Sequence, residues 1–251
     1  MKPIIVANWK MNPESLVEAR QNFEIIKKGI RAVKKVEAVI CAPFIFLSAL
    51  KPTNYLKVGA QDCFFGEKGP FTGEVSPKQL KNLGVEYVIL GHSERRKYLD
   101  ESTELVNQKI RAALETGLKV IFCVGSDVKK PGKEIKYQLE KGLKGIKKSD
   151  LDRLVFVYEP IWAISTSKNK VIATPQEALK GGLYMKNVLE KIFDKKTATK
   201  AKIIYGGSVD SKNIRGFIEE GKMVGGLPGA ASLNSYEFIR IVKSVDFINK
   251  I

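Results

Sequence analysis

The residues best suited to chemistry stand where short apolar runs stop. Residues 154–157 read Leu-Val-Phe-Val, the near-continuous pattern of a strand covered on both faces, and they lead to Glu159. Pro160 has no amide hydrogen to give, so it ends the ladder and leaves the carboxylate at a strand's C-terminal end. The chain's one histidine, His92, follows the apolar run 85–90 and stands just before helical sequence. Asn8 and Lys10 leave the first run, 3–7, in the same way. These are titratable and hydrogen-bonding groups, and in a barrel of parallel strands that end carries the chemistry while the other carries stability. Small residues, Gly206-Gly207-Ser208 and Gly229-Ala230, follow the last two runs. Backbone amides opened there at helix N-termini bind a phosphate group well. After Glu159, the aperiodic apolar stretch 161–164 and the small polar Ser165, Thr166 and Ser167 suit a lid hinged at both ends. The plainer alternative for Glu159 is a capping role or a lysine partner.

Composition bounds what these groups serve. A chain of 251 residues and 28.0 kDa, 44% hydrophobic, can bury a sizeable core as two small domains or one α/β barrel. No linker divides it, so residues 1–251 read as a single domain. No stretch has the length and apolarity of a signal peptide or a membrane span, which predicts a soluble cytoplasmic protein with no membrane partner. Cys41, Cys63 and Cys123 are far apart and form no Cys-x-x-Cys pair, so buried thiols are expected rather than disulfides or a zinc site. The net charge is +16, with lysines crowding 27–35, 129–148 and 186–202, mostly on what read as outer helices. Such charge is a solvated outer face whose field would also attract a small dianion. Nucleic acid would want aromatics interleaved with that charge along one groove; none are seen, so no nucleic-acid partner is expected.

Strand and helix alternate along the chain about eight times, the signature of a closed parallel barrel rather than an open sheet. Strands are predicted at 3–7, Glu37–Ala42, Leu56–Ala60, 85–90, 119–124, 154–159, 201–205 and, more weakly, 224–228. Asn12-Pro13 reads as a helix start with Pro at the first helical position and Leu16, Phe23, Ile26 and Ile30 on the inner stripe. Other helices are expected at 102–115, from Thr174-Pro175-Gln176-Glu177 to about Phe193, and from about Ser235. The loop 61–76 carries Phe64, Phe65 and Phe71 among several glycines, and a loop of that length and apolarity predicts a subunit contact.

Six segments, ANWKMN, AQDCFFGEKGPFTGEVSP, LGHSERR, YEPIWAIST, YGGSV and GAASL, occur in this order across essentially the whole chain. In sequence and spacing they resemble the triosephosphate isomerase family. The resemblance implies a single (β/α)8, or TIM, barrel that interconverts two triose phosphates in glycolysis and gluconeogenesis, with no cofactor and no metal. It implies that Glu159 moves a proton between neighbouring carbons, that a neutral His92 donates a hydrogen bond to the enediolate, and that Lys10 and Asn8 hold the substrate. Ser93 and Glu94 would position His92 and Lys10. The amides of Ser165, Ser208, Gly229 and Ala230 would hold the phosphate, and Ile164 and Leu227 would close over Glu159. A homodimer through the 61–76 loop is implied as well, with Thr72 reaching the neighbour's Asn8 and Lys10. A basic binding protein built on the same barrel, or a different sugar-phosphate isomerase, are the other readings.

Departures from the family pattern fall beside the site. Ser165-Thr166-Ser167-Lys168 stands where the family has Gly-Thr-Gly-Lys, about three residues are added around 169–171, and Ala230 and Pro228 replace a glycine and an aliphatic residue. The loop after the fifth strand is shortened around 126–131. None of these removes a side chain the chemistry needs.

Overall fold

The parity of the sixth strand decides where Glu159 points. Side chains alternate along a strand, so Val155, Val157 and Glu159 share one face and Leu154, Phe156 and Tyr158 the other. In the computed structural model, which describes residues 1–163 and 172–248, the first face is the lumen of a closed barrel. Its strands are β1 (Ile4–Asn8), β2 (Glu37–Ala42), β3 (Leu56–Ala60), β4 (Tyr87–Leu90), β5 (Lys119–Ser126), β6 (Leu154–Pro160), β7 (Lys202–Tyr205) and β8 (Gly225–Gly226). Each is parallel to its neighbours, and β8 closes on β1 through Ile4 and Ile5.

Two buried layers result. The lumen is filled by Ile4, Val6, Val39, Cys41, Tyr87, Ile89, Ile121, Cys123, Val155, Val157 and Ile204 with Val224 and Leu227. The outward face of the same strands packs under the helices, with Phe122, Phe156, Tyr158 and Tyr205 meeting Ile110, Leu139, Met185 and Phe217 in one larger core. The lumen residues end on Asn8 in β1 and Glu159 in β6, two polar positions made buried by an apolar pattern beneath them. All three cysteines are buried and free, as the composition implied.

Two expectations about elements are corrected. The first helix runs Leu16–Gly29 and starts at Ser15, whose hydroxyl accepts the Glu18 amide at 3.2 Å, not at Pro13. A side-chain acceptor for an orphan amide outranks a proline's fixed φ as a start. Leu16 is therefore in the exposed first turn, and Ala19 takes its place on the stripe with Phe23, Ile26 and Ile30. Pro160, paired with Ser126, is the last residue of β6, so the ladder ends on it as its missing amide hydrogen implied. The eighth strand is only Gly225–Gly226; Gly225 has φ 155°, and a Cβ there would overlap the Ile4 carbonyl. The barrel closes where no side chain intervenes.

The helix Pro175–Ile192 begins as its sequence implied. Thr174 Oγ1 accepts the Glu177 amide at 3.2 Å and Glu177 Oε2 accepts the Thr174 amide at 2.8 Å. Thr174→Ala should remove one half of this reciprocal cap at a cost of about 1 kcal/mol. A calorimetric midpoint lower by about 2–4 °C is the expected reading; an unchanged midpoint would mean the helix start is held by packing alone.

Candidate active site

Glu159 is buried at the lumen's C-terminal end, 1% exposed. Its Oε2 accepts the Ser93 amide at 3.0 Å, and its Oε1 lies 3.2 Å from His92 Nε2 without the alignment of a hydrogen bond. The strand beside it allows no crowding: Gly125 pairs with Glu159, and a Cβ at Gly125 would run into the Glu159 backbone. Gln138 fixes that position by accepting the Gly125 amide at 2.9 Å and donating to its carbonyl at 3.0 Å.

His92 caps the short helix Ser93–Tyr98 with its own ring, Nδ1 accepting the Glu94 amide at 3.2 Å. An accepting Nδ1 carries no proton, so this geometry is that of the neutral ring with its hydrogen on Nε2, facing Glu159. The expectation that Ser93 and Glu94 serve His92 and Lys10 meets a division of labour. Glu94 touches both, through its amide to His92 and its carboxylate to Lys10 Nζ, whereas the Ser93 amide holds Glu159.

Lys10 adopts φ 53°, a left-handed conformation that costs a non-glycine residue roughly 1 kcal/mol or more. It is held by the Asn8 carboxamide, whose Oδ1 accepts the Lys10 amide at 3.0 Å, and by Gln61 Nε2, which donates to the Lys10 carbonyl at 2.8 Å and the Cys41 carbonyl at 3.0 Å. This backbone turn delivers the ammonium to a cleft lined by His92, Glu159, Gly206, Gly207, Leu227 and Gly229.

The phosphate-binding candidates are only partly free. Ser208 donates its amide (3.3 Å) and its hydroxyl (3.0 Å) to the Ala163 carbonyl. Gly229 and Ala230 open the short helical turn Ala230–Leu233, tied down where Ser232 donates to the Gly229 carbonyl at 2.7 Å. Leu227 is buried in the lumen beside them. Ile164 and Ser165, together with the added residues around 169–171, lie outside the described residues.

Two residues that the sequence reading passed over position this site. Gln61 carried the same signal as Asn8, being the first polar residue after an apolar strand. Gln138 lies mid-helix and gave none.

The loop 61–76 holds a small aromatic cluster, with the Phe64 ring centroid 4.2 Å from Phe65 and 4.6 Å from Phe71. Phe65 and Phe71 are 39% and 42% exposed. Beside the site, Met11, Tyr98 and Leu99 line a second cleft with Gln61 and Arg95 and are among the most exposed apolar side chains of the described residues.

Comparison with known proteins bears on the whole chain. The model of the triosephosphate isomerase family matches residues 3–245. Triosephosphate isomerases of Caldanaerobacter subterraneus subsp. tengcongensis and Carboxydothermus hydrogenoformans are each 41% identical to it, over 96% of this chain and 98% of theirs. The crystal structure of triosephosphate isomerase from Bartonella henselae superposes with a TM-score of 0.83 at 30% identity, covering 98% of this chain and 99% of that one. With a match of this extent in both sequence and fold, the chain belongs to the triosephosphate isomerase family.

Proposed function

We infer that this chain interconverts dihydroxyacetone phosphate and D-glyceraldehyde 3-phosphate, working as one (β/α)8 unit in the cytoplasm. The observation that carries this is the meeting of Glu159, His92 and Lys10 in one cleft at the barrel's C-terminal end. An aldose–ketose exchange between adjacent carbons needs a base to take a proton from one carbon and return it to the next, and Glu159 is the carboxylate in reach. The charge that builds on the substrate oxygens needs donors already in place, which suits His92 Nε2–H and the Lys10 ammonium. Asn8 orients Lys10 and faces the same substrate end.

The Ser93 amide holds Glu159 Oε2, while Oε1 makes no hydrogen bond among the described residues and is the oxygen left to take the proton. The Ser208 amide has to leave the Ala163 carbonyl before it meets substrate. The amides of Ser208, Gly229 and Ala230 then take the phosphate. Ser165 and Ile164 complete this assignment as an amide donor and an apolar cover. A coupled assay on the two triose phosphates tests the reading, and folded protein inert in both directions would overturn it.

The working form we propose is a homodimer in which the 61–76 loop of one chain enters the Met11–Tyr98–Leu99 cleft of another, with Thr72 near its Asn8 and Lys10. Exposed rings on one chain and an exposed apolar cleft on the other are complementary. Replacing Phe65 and Phe71 together by Asp should yield a monomer in sedimentation, with turnover lower by roughly 10²-fold as the unsupported Lys10 turn drifts. A monomer of full activity would remove the dimer from the mechanism.

A further inference from the structure

The fold separates charge in a way the sequence could not show. The described loops at the Glu159 end, 9–15, 61–76, 91–102, 127–132, 206–213 and 227–234, hold eight basic and nine acidic residues. The excess lies elsewhere. Residues 141–153 lead into β6 with five basic residues against two acidic, and residues 191–202 lead into β7 with five against one. Both therefore sit at the end of the barrel opposite Glu159. They touch, since Lys148 Nζ meets Asp194 Oδ2 at 2.6 Å, and β6 pairs with β7 above them.

Helix dipoles account for only part of this. Lys141 and Lys191 stand in the last turns of their helices, where a cation is favoured. Lys144, Lys147, Lys195, Lys196 and Lys200 are exposed, and none has a carboxylate within 4.0 Å among the described residues. Like charges gathered unpaired repel one another and destabilise the compact chain, so stability does not explain the cluster. Nor does steering of substrate to Glu159, because these lysines lie at the opposite end of the barrel. Beside these lysines a cavity of about 580 Å³ opens, lined by Arg111, Lys147, Ser149 and Arg153 together with Glu115 and Asp150.

We propose that the touching segments 141–153 and 191–202 form a surface for a phosphodiester polyanion, the backbone of duplex nucleic acid, read without regard to sequence. Neither segment exposes a large apolar side chain, so there is nothing to insert into an acidic lipid layer and no ring on which to stack an unpaired base. A duplex backbone needs neither, because its phosphates are neutralised by lysines alone. The expectation of no nucleic-acid partner rested on missing aromatics, and the position of the charge replaces it.

The test is binding of a labelled 30-base-pair duplex of mixed sequence, followed by fluorescence anisotropy from 50 to 200 mM salt. With six or more phosphates neutralised, affinity should fall on the order of 10³-fold across that range. Lys144→Glu, Lys147→Glu, Lys195→Glu and Lys196→Glu together should abolish binding without lowering the thermal midpoint, since they relieve like-charge repulsion, and without changing triose isomerisation. A charge-matched control, Lys28→Glu, Arg31→Glu, Lys34→Glu and Lys35→Glu, should retain most of it. Equal loss in both variants would reduce the effect to net charge and overturn the proposal. So would no binding at 50 mM salt, or binding only to vesicles of mixed phosphatidylserine and phosphatidylcholine.

Discussion

Glu159→Gln should lower kcat on the order of 10³- to 10⁴-fold while a phosphate-bearing inhibitor binds almost as well as before. The carboxamide fills the same buried volume, and its oxygen can still accept the Ser93 amide that Oε2 accepts at 3.0 Å. What it lacks is basicity, and a positioned general base is worth roughly that factor. The loss should fall on kcat and kcat/KM alike, the mark of an interaction needed only in the transition state. Glu159→Asp keeps the base but withdraws it by one methylene, so it should be impaired by less than the amide. Steady-state kinetics in both directions, with inhibitor titration, check this. Near-normal turnover in Glu159→Gln would mean another group takes the proton, and the assignment of every other residue in the cleft would have to be redrawn.

Glu159 was legible because its position needs only a strand and its parity. Val155 and Val157 are lumen residues by alternation, and the next place on that face is the carboxylate. Asn8 follows Ile4 and Val6 by the same rule, and His92 needed only its place at a strand end before a helix. The parts that stayed hidden depend on partners remote in the chain. Nothing at Gln138 announces that it will clasp both backbone groups of Gly125, and nothing at Ser93 says its amide rather than its hydroxyl will hold Glu159. The eighth strand was drawn too long because it is set by the close approach of Gly225 to Ile4, which only barrel closure creates. Charge was read onto the outer helices, where much of it stands; that residues 141–153 and 191–202 share one end of the barrel follows only from how helices and strands alternate.

The second large effect should come from a residue that meets no substrate. Lys109 is 3% exposed and donates to Asp62 Oδ1 at 3.0 Å, to Asp62 Oδ2 at 2.8 Å and to Glu101 Oε1 at 2.5 Å. Arg95 supports both carboxylates from the other side, at 2.8 Å to Asp62 and 3.1 Å to Glu101. Burial pushes the Asp62 carboxyl up to about 6, against the pull of Lys109 and Arg95. Burial opposes the charge on Glu101 as well, but the hydrogen bond from Lys109 and the charges of Lys109 and Arg95 outweigh it and hold that carboxyl below its ordinary value. The cluster is also a girder for the site: Asp62 follows Gln61, which holds the Lys10 turn, and Arg95 lies on the helix that His92 caps. Lys109→Met preserves the packing of the stem but leaves two buried carboxylates with one cation between them. Removing one partner of a buried ion pair costs on the order of 3–5 kcal/mol, so the thermal midpoint should fall by about 10 °C. The loss must depend on pH. Without Lys109 both carboxyls have folded pKa values raised above their unfolded ones, so a proton taken up by either relieves the repulsion at low pH, and that relief disappears as pH rises through the raised values. Calorimetry should therefore find the variant closer to wild type at pH 5.5 than at pH 8, with Lys109→Arg less impaired at pH 8 than Lys109→Met. If Lys109→Met lost the same amount at both pH values, its cost would be one of packing, and the buried charges would not be what joins the Lys10 turn to the helix of His92.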